Sequence, residues 1–253
     1  MRYSQLCEVY ENLERNPSRL KKTEILSNLL KTLKHEKDKE IIYLIQGKVF
    51  PDYCEKEFGI SEQLCIKALS KSSGIDKKEI IEKWKKLGDL GKVAEQIILK
   101  KKQNTLFSHK LTTEKVLANL QKLPELEGKG TVDKKLSLIS ELLTSASETE
   151  AKYIIRTLLN KLRIGVASGT MRDAIVWACL EKNKENYNLI QNAYDKAILL
   201  SGDADFLPAV KRVRLLGKNV ELWAFKNSLA PELKAEADSC MIIDDYIDQI
   251  KKE

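Results

Sequence analysis

Up to about residue 190 the apolar residues of this chain recur at the spacing of an α-helix, and after Asp195 that period is lost. Leu6, Val9, Tyr10 and Leu13 share one helical face, as do Ile25, Leu26, Leu29, Leu30 and Leu33. Ile154, Ile155, Leu158, Leu159 and Leu162 repeat the pattern, and so do Met171, Ala174, Ile175, Ala178 and Cys179. Residues three and four apart stack on one side of a helix, so each set is a stripe that must find cover. Ser147, followed three residues later by Glu150, has the capping-box pattern ahead of the third set. Gly47, Pro51, Gly59, Gly74, Gly88, Gly91, Gly128, Gly130 and Gly165 fall between the runs. The first part of the chain is expected to be a helical domain.

A weak echo runs through it. Tyr43-Leu44-Ile45 leads to Gly59-Ile60 and then Ala68, and Tyr153-Ile154-Ile155 leads to Gly165-Val166 and then Ala174. Glycine and alanine are nine residues apart in both copies. On the sequence, chance explains this about as well as duplication; duplication would put two similar loops on one side of the domain.

Beyond Asp195 the texture is that of an α/β unit. Ala197 to Leu200 is a short apolar run ending at Ser201-Gly202-Asp203-Ala204-Asp205-Phe206. A helical stretch, Leu207 to Leu216, precedes the strand-like Val220 to Phe225; a second, Leu229 to Ala237, precedes the strand-like Cys240 to Ile243. Strands alternating with ten-residue helices predict a small three-stranded parallel sheet. Leu200, Val210, Leu222, Trp223 and Ile242 are expected to pack against this tail's own helices, with one sheet face left for other cover. The chain thus divides, on this reading, into a helical domain at 1–192 and an α/β module at 193–253.

Charge follows the same division. Of 44 basic and 37 acidic residues, the last 57 residues hold 8 and 10, leaving 36 and 27 for residues 1–196, a charge of +9 against −2. That asymmetry fits a polyanionic partner for the first part, and equally a lysine-rich solvated face. No apolar run approaches the ~18–20 residues of a membrane span. Five scattered cysteines without a C-x-x-C, with only His35 and His109 beside them, argue against a disulfide framework and a zinc site. The chain runs straight from Met1 into amphipathic pattern, so a cytoplasmic, reduced setting is expected.

Two basic loops carry glycine. Lys161-Leu162-Arg163-Ile164-Gly165 sets two cations beside a residue whose backbone can approach a partner closely. Gly128-Lys129-Gly130-Thr131 with Lys134 and Lys135 lies at a helix start, where free amides favour phosphate. Phosphate contact and plain helix punctuation are both open readings of these loops.

Residues 1 to about 195 resemble the N-terminal DNA-binding domain of ATP-dependent DNA ligases of the archaeal and eukaryotic type. The resemblance lies in Arg2-Tyr3-Ser4, in Tyr43-Leu44-Ile45-Gln46-Gly47-Lys48-Val49-Phe50-Pro51-Asp52, and in Leu87-Gly88-Asp89-Leu90-Gly91. It continues in Leu111-Thr112 with Val116, and most specifically in Glu150 to Arg156, Leu162 to Val166 and Arg172 to Ile175. It implies an all-helical domain with internal pseudo-symmetry that grips the minor groove of nicked duplex without reading sequence. The implied DNA contacts are Lys161, Arg163 and Gly165, the turn Gly128-Gly130-Thr131 with Lys134 and Lys135, and Lys48 in the pseudo-equivalent loop. A ligase also needs a K-x-D-G lysine to carry AMP, and none occurs in these 253 residues, so the chain is not expected to seal a nick alone. An adenylating partner subunit would complete it; self-association through the C-terminal module is a separate expectation, set by the uncovered sheet face.

The tail, from Tyr194 through Ser201-Gly202-Asp203-Ala204-Asp205-Phe206 to Asp244-Asp245-Tyr246, resembles the C-terminal half of a NYN domain, a PIN-like metal-dependent ribonuclease fold. That resemblance implies Asp203 and Asp205 as Mg²⁺ ligands, and with them an alternative function as a nuclease delivered by the helical part. Their competing role is as turn formers, and the family's first strand with its own aspartate has no counterpart here. No other cofactor is expected.

Overall fold

The computed structural model describes residues 1–33, 41–50, 56–100 and 110–246. Pro51 and Asp52 of the second resembling stretch, Cys54 and both histidines lie outside the described residues. The described residues form thirteen α-helices and one three-stranded parallel sheet at the C-terminal end. The chain is therefore mainly helical with a small α/β module, as its periodicity requires. No helix among the described residues is long and apolar enough to cross a membrane.

Two compact units divide between Met171 and Arg172, earlier than a 192/193 boundary. The division falls inside α10 (Ser168–Cys179), whose later turns engage α11 (Lys184–Asp195): the Trp177 indole N–H donates to the Tyr187 hydroxyl at 2.6 Å. That helix then runs without a loop into β1 (Lys196–Leu200).

The first unit contains α1 (Tyr3–Arg15), α2 (Arg19–Thr32), α3 (Ile41–Ile45), α4 (Glu62–Ser73), α5 (Lys77–Leu87), α6 (Leu90–Leu99), α7 (Thr113–Lys122), α8 (Thr131–Ser145) and α9 (Glu148–Leu158). Helix α1 buries Tyr3, Leu6, Cys7, Tyr10 and Leu13, the stripe its spacing prescribes. Helix α9 is the centre of the unit, packed by α1, α6 and α8, and every residue from Glu150 to Leu158 is buried. Full burial of side chains such as Ile154, Ile155 and Leu158 contributes about 1.5–3 kcal/mol each.

Short polar side chains start most of these helices. Ser18, Ser61, Asp76, Asp89 and Thr112 each accept from an amide in the first turn that would otherwise lack a partner. At α9 the exchange is reciprocal: Ser147 Oγ accepts from the Glu150 amide at 3.4 Å, and Glu150 Oε2 accepts from the Ser147 amide at 2.8 Å.

In the second unit β1, β2 (Asn219–Ala224) and β3 (Ser239–Ile242) are parallel and ordered β1-β2-β3, with Leu199 opposite Leu222 and Leu222 opposite Cys240. Helices α12 (Leu207–Leu215) and α13 (Pro231–Glu236) make the two crossovers. Two right-handed crossovers stepping in the same direction place both helices on one face. There Val210, Val220, Leu222 and Leu233 form a core flanked by Ala197, Leu199, Leu207 and Cys240. Val210 and Leu222 thus pack as expected.

Leu200 and Trp223 correct the expectation. Side chains alternate along a strand, so with Leu199 and Leu222 turned to the helices their neighbours face away. Leu200 is 69% exposed and Ile198 59%, and the Trp223 indole N–H donates to Glu221 Oε1 at 2.8 Å.

Because α9 carries the centre of the first unit, its cap is exposed in the stability of the whole. Ser147→Ala should lower the unfolding free energy by about 1 kcal/mol, read as a shifted urea midpoint at unchanged slope.

Candidate nucleic-acid interface

The loop after α9 alternates anchor and cation. Leu162 and Ile164 are buried, while Lys161, Arg163 and Gly165 between and beside them are exposed. Asn160 at φ 53° and Arg163 at φ 59° occupy the left-handed region, which side chains other than glycine's adopt at a cost of roughly 1–3 kcal/mol each. Surrounding bonds hold them there. The Asn160 amide donates to Thr157 O at 3.0 Å and the Lys161 amide to Arg156 O at 2.8 Å. Arg156 Nη1 reaches Leu162 O at 3.4 Å, and the Lys22 ammonium donates to Ile164 O at 2.7 Å and Gly165 O at 2.9 Å.

Neighbouring segments converge on this loop. Gly47 is glycine because a Cβ there would lie 3.2 Å from Leu162 Cβ, at a φ of +73°; the turn bearing the exposed Lys48 therefore sits against Leu162. Lys161 Nζ pairs with Glu62 Oε1 at 3.2 Å at the start of α4. Lys135, half-buried on α8, donates to Phe58 O at 2.9 Å. Its neighbour Lys134 is exposed.

The turn before α8 is cationic and open. Gly128 and Gly130 have φ of +79° and +83°, and Gly130 caps α8 with no side-chain acceptor for the first-turn amides. Thr131 Oγ1 is spent within the turn, donating to Gly128 O at 2.6 Å. A helix N-terminus with uncapped amides and flanking Lys129 and Lys134 favours an anion.

Beneath the α9 loop lies a buried ionic network. Arg156 spans Glu14, through Nη1–Oε2 at 2.8 Å and Nη2–Oε1 at 3.0 Å, and Asp89, through Nη2–Oδ2 at 2.7 Å. Lys152 pairs with Glu11 at 2.5 Å and Glu14 at 2.9 Å, and the Tyr153 hydroxyl lies between both carboxylates, sharing its one proton. The half-exposed Arg163 reaches Asp89 Oδ2 at 3.4 Å. Burial works to raise the Glu14 carboxyl, but the hydrogen bonds and charges of Arg156 and Lys152 outweigh it and lower it to about 2. Asp89 is likewise held down, by Arg156 against burial.

Asp89 and Arg156 lie in stretches that carry the resemblance without having been assigned to this site, and Lys22 lies in none of them. A lysine four residues ahead of Leu26, on the apolar stripe of α2, is the only trace of Lys22.

In the second unit Asp203 and Asp205 are exposed beyond β1. Asp203 Oδ1 accepts from the Asp205 amide at 2.9 Å and Asp244 Oδ2 from the Lys226 amide at 2.7 Å. No three His, Cys, Asp or Glu residues are grouped as metal ligands among the described residues. The Asp203 and Asp244 carboxylates thus each accept from a turn amide.

A depressed carboxylate contributes stability that is complete above its unfolded value and lost as pH falls through its folded one. The unfolding free energy of the first unit should therefore decline between pH about 4.5 and about 2. Each proton taken up on unfolding adds a slope of about 1.4 kcal/mol per pH unit. Glu14→Gln should flatten that limb in a denaturant series across pH.

Residues 2–176 match the family model described as DNA ligase N terminus, and residues 187–244 match that of the NYN domain. A DNA ligase of Methanosphaera stadtmanae is 43% identical over 205 residues, covering 79% of this chain and 35% of the relative. One from Nitrosopumilus maritimus is 40% identical over 207 residues, 82% of this chain and 35% of its own. One from Thermococcus onnurineus is 37% identical over 213 residues, 84% and 36%. The chain thus spans 35–36% of the length of these three curated relatives.

Proposed function

Because the chain belongs to the family of DNA ligase N-terminal domains over residues 2–176, we propose that its first unit binds duplex DNA without reading sequence, with nicked duplex as its preferred form. The observation that carries this reading is the α9 loop. Its buried Leu162 and Ile164 fix a backbone that holds Lys161, Arg163 and the exposed Gly165 outward. Such a loop suits phosphate and sugar, since cations neutralise the backbone and a glycine lets main chain approach the groove. Lys48, Lys134 and the uncapped α8 amides extend the same cationic surface, within a region of net charge +9 at residues 1–196. Adenylation is assigned to a different segment or partner subunit, because no K-x-D-G occurs among these residues.

Fluorescence anisotropy with nicked duplex, intact duplex and single-stranded RNA tests the reading. If 6–10 phosphates are neutralised, log K falls against log[salt] with a slope of about −5 to −9. Arg163→Ala should weaken binding about threefold to tenfold and reduce that slope by about one. A flat salt dependence, or tighter binding to RNA, would overturn the reading.

With labelled ATP and Mg²⁺, denaturing electrophoresis of the purified chain should show no covalent adenylate. A labelled band at its mass would refute that assignment.

A further inference from the structure

Lys22 and Lys135 stand in the same relation to two different loops. Lys22, on the second turn of α2, donates to Ile164 O and Gly165 O and lies where a Cβ of Gly165 would come, 2.5 Å from Nζ. Lys135, on the second turn of α8, donates to Phe58 O and lies 3.3 Å from the Cβ position of Gly59. Both glycines are left-handed, at φ +57° and +62°.

The echo of Gly59-Ile60 in Gly165-Val166 therefore extends to the lysines. Lys22 is followed by Leu26, Ser27, Leu29 and Leu30, and Lys135 by Ile139, Ser140, Leu142 and Leu143 at the same offsets. Ser27 and Ser140 are both buried. The lysine of each copy reaches the glycine loop of the other copy. Gly59 and Gly165 thus each receive a lysine from the other half of the echo.

We propose that Lys22 and Lys135 are positioning residues for DNA binding: each ammonium pins the glycine loop of the opposite half, and neither touches DNA. The chemistry favours this role. A loop in left-handed conformation turns carbonyls inward with no ladder partner, and an ammonium brings three donors to satisfy them. Ion-assisted bonds of this kind are about twice as strong as neutral ones, enough to hold the strained Arg163 backbone. Glycine at 59 and 165 suits the positive φ, and a Cβ at 165 would displace the Lys22 ammonium. For Lys135 this assigns carbonyl binding in place of phosphate contact, and leaves phosphate to the exposed Lys134.

The proposal rests on the DNA-binding reading above, and its test separates the two. With the full chain and nicked duplex, Lys22→Met and Gly165→Ala should each raise Kd about tenfold, a change of about 1.4 kcal/mol. One removes the ammonium and the other evicts it. Because Lys22 acts through the loop, Lys22→Met combined with Arg163→Ala should fall short of the product of the single effects. Lys135→Met should weaken binding with the salt slope unchanged, whereas Lys134→Met should reduce the slope by about one.

A folded Lys22→Met protein with wild-type Kd, or full multiplication with Arg163→Ala, overturns the latch. If Lys22→Met does not fold, Lys135→Met decides, its side chain being half-buried on α8, and wild-type Kd there overturns the latch. Failure of the wild-type chain to bind nicked duplex overturns the DNA reading, and the latch with it.

Discussion

One guanidinium joins most of the first unit. Arg156 is buried on α9, takes both oxygens of Glu14 from α1, shares Asp89 at the start of α6, and reaches Leu162 O in the loop. Asp89 meanwhile caps α6 through the amides of Gly91 and Lys92. A planar fork with fixed donors suits this work; a lysine could not hold two carboxylates and a carbonyl in one plane. Its passage depends on Gly91, where a Cβ would lie 2.6 Å from Arg156 Cγ. Removing Arg156 would leave the buried Asp89 with its two capping amides and the long Arg163 contact, and the partly exposed Glu14 with Lys152 and the Tyr153 hydroxyl. The ionic cluster is thus a means of specifying how α1, α6, α9 and the loop meet, more than a source of net stability.

The surface proposed for DNA follows from that interior. Arg163 can stand outward in a left-handed conformation because its neighbours are tied down: Leu162 by Arg156, Ile164 by burial and by Lys22. Its contact with Asp89 at 3.4 Å is long and half-exposed, so it steadies the side chain without competing strongly with a phosphate. Preorganisation lowers what binding must spend on ordering a loop. A few cations on rigid backbone then suffice where a flexible loop would need more.

Much of this was legible in the sequence. The Ser147–Glu150 capping box is present as its spacing implies, and the strands expected at Ala197, Val220 and Cys240 begin within one residue of those positions. Both are local signals, fixed by spacing along the chain. What escaped was everything set by packing between distant segments. Lys134 and Lys135 are adjacent and identical in type, yet only the second meets Phe58 O, because of where α8 lies relative to that loop. Lys22 is separated from its carbonyls by more than 140 residues, and nothing near Gly165 announces it.

The second unit shows the same limit in its sheet. Alternation along β2 separates Leu222 from Trp223, which the expectation had put on one face, but does not say which face the helices take. That depends on strand order: with β1-β2-β3 in chain order, both crossovers fall on one side, and Leu199, Leu222 and Val210 are covered together. The opposite parity is then left with Ile198, Leu200, Trp223 and Met241. Lys196 and Trp223 both bond Glu221, which makes one end of that face polar. Leu200, Trp223 and Met241 stand in register across the three strands at the other end, an apolar row that α12 and α13 cannot reach.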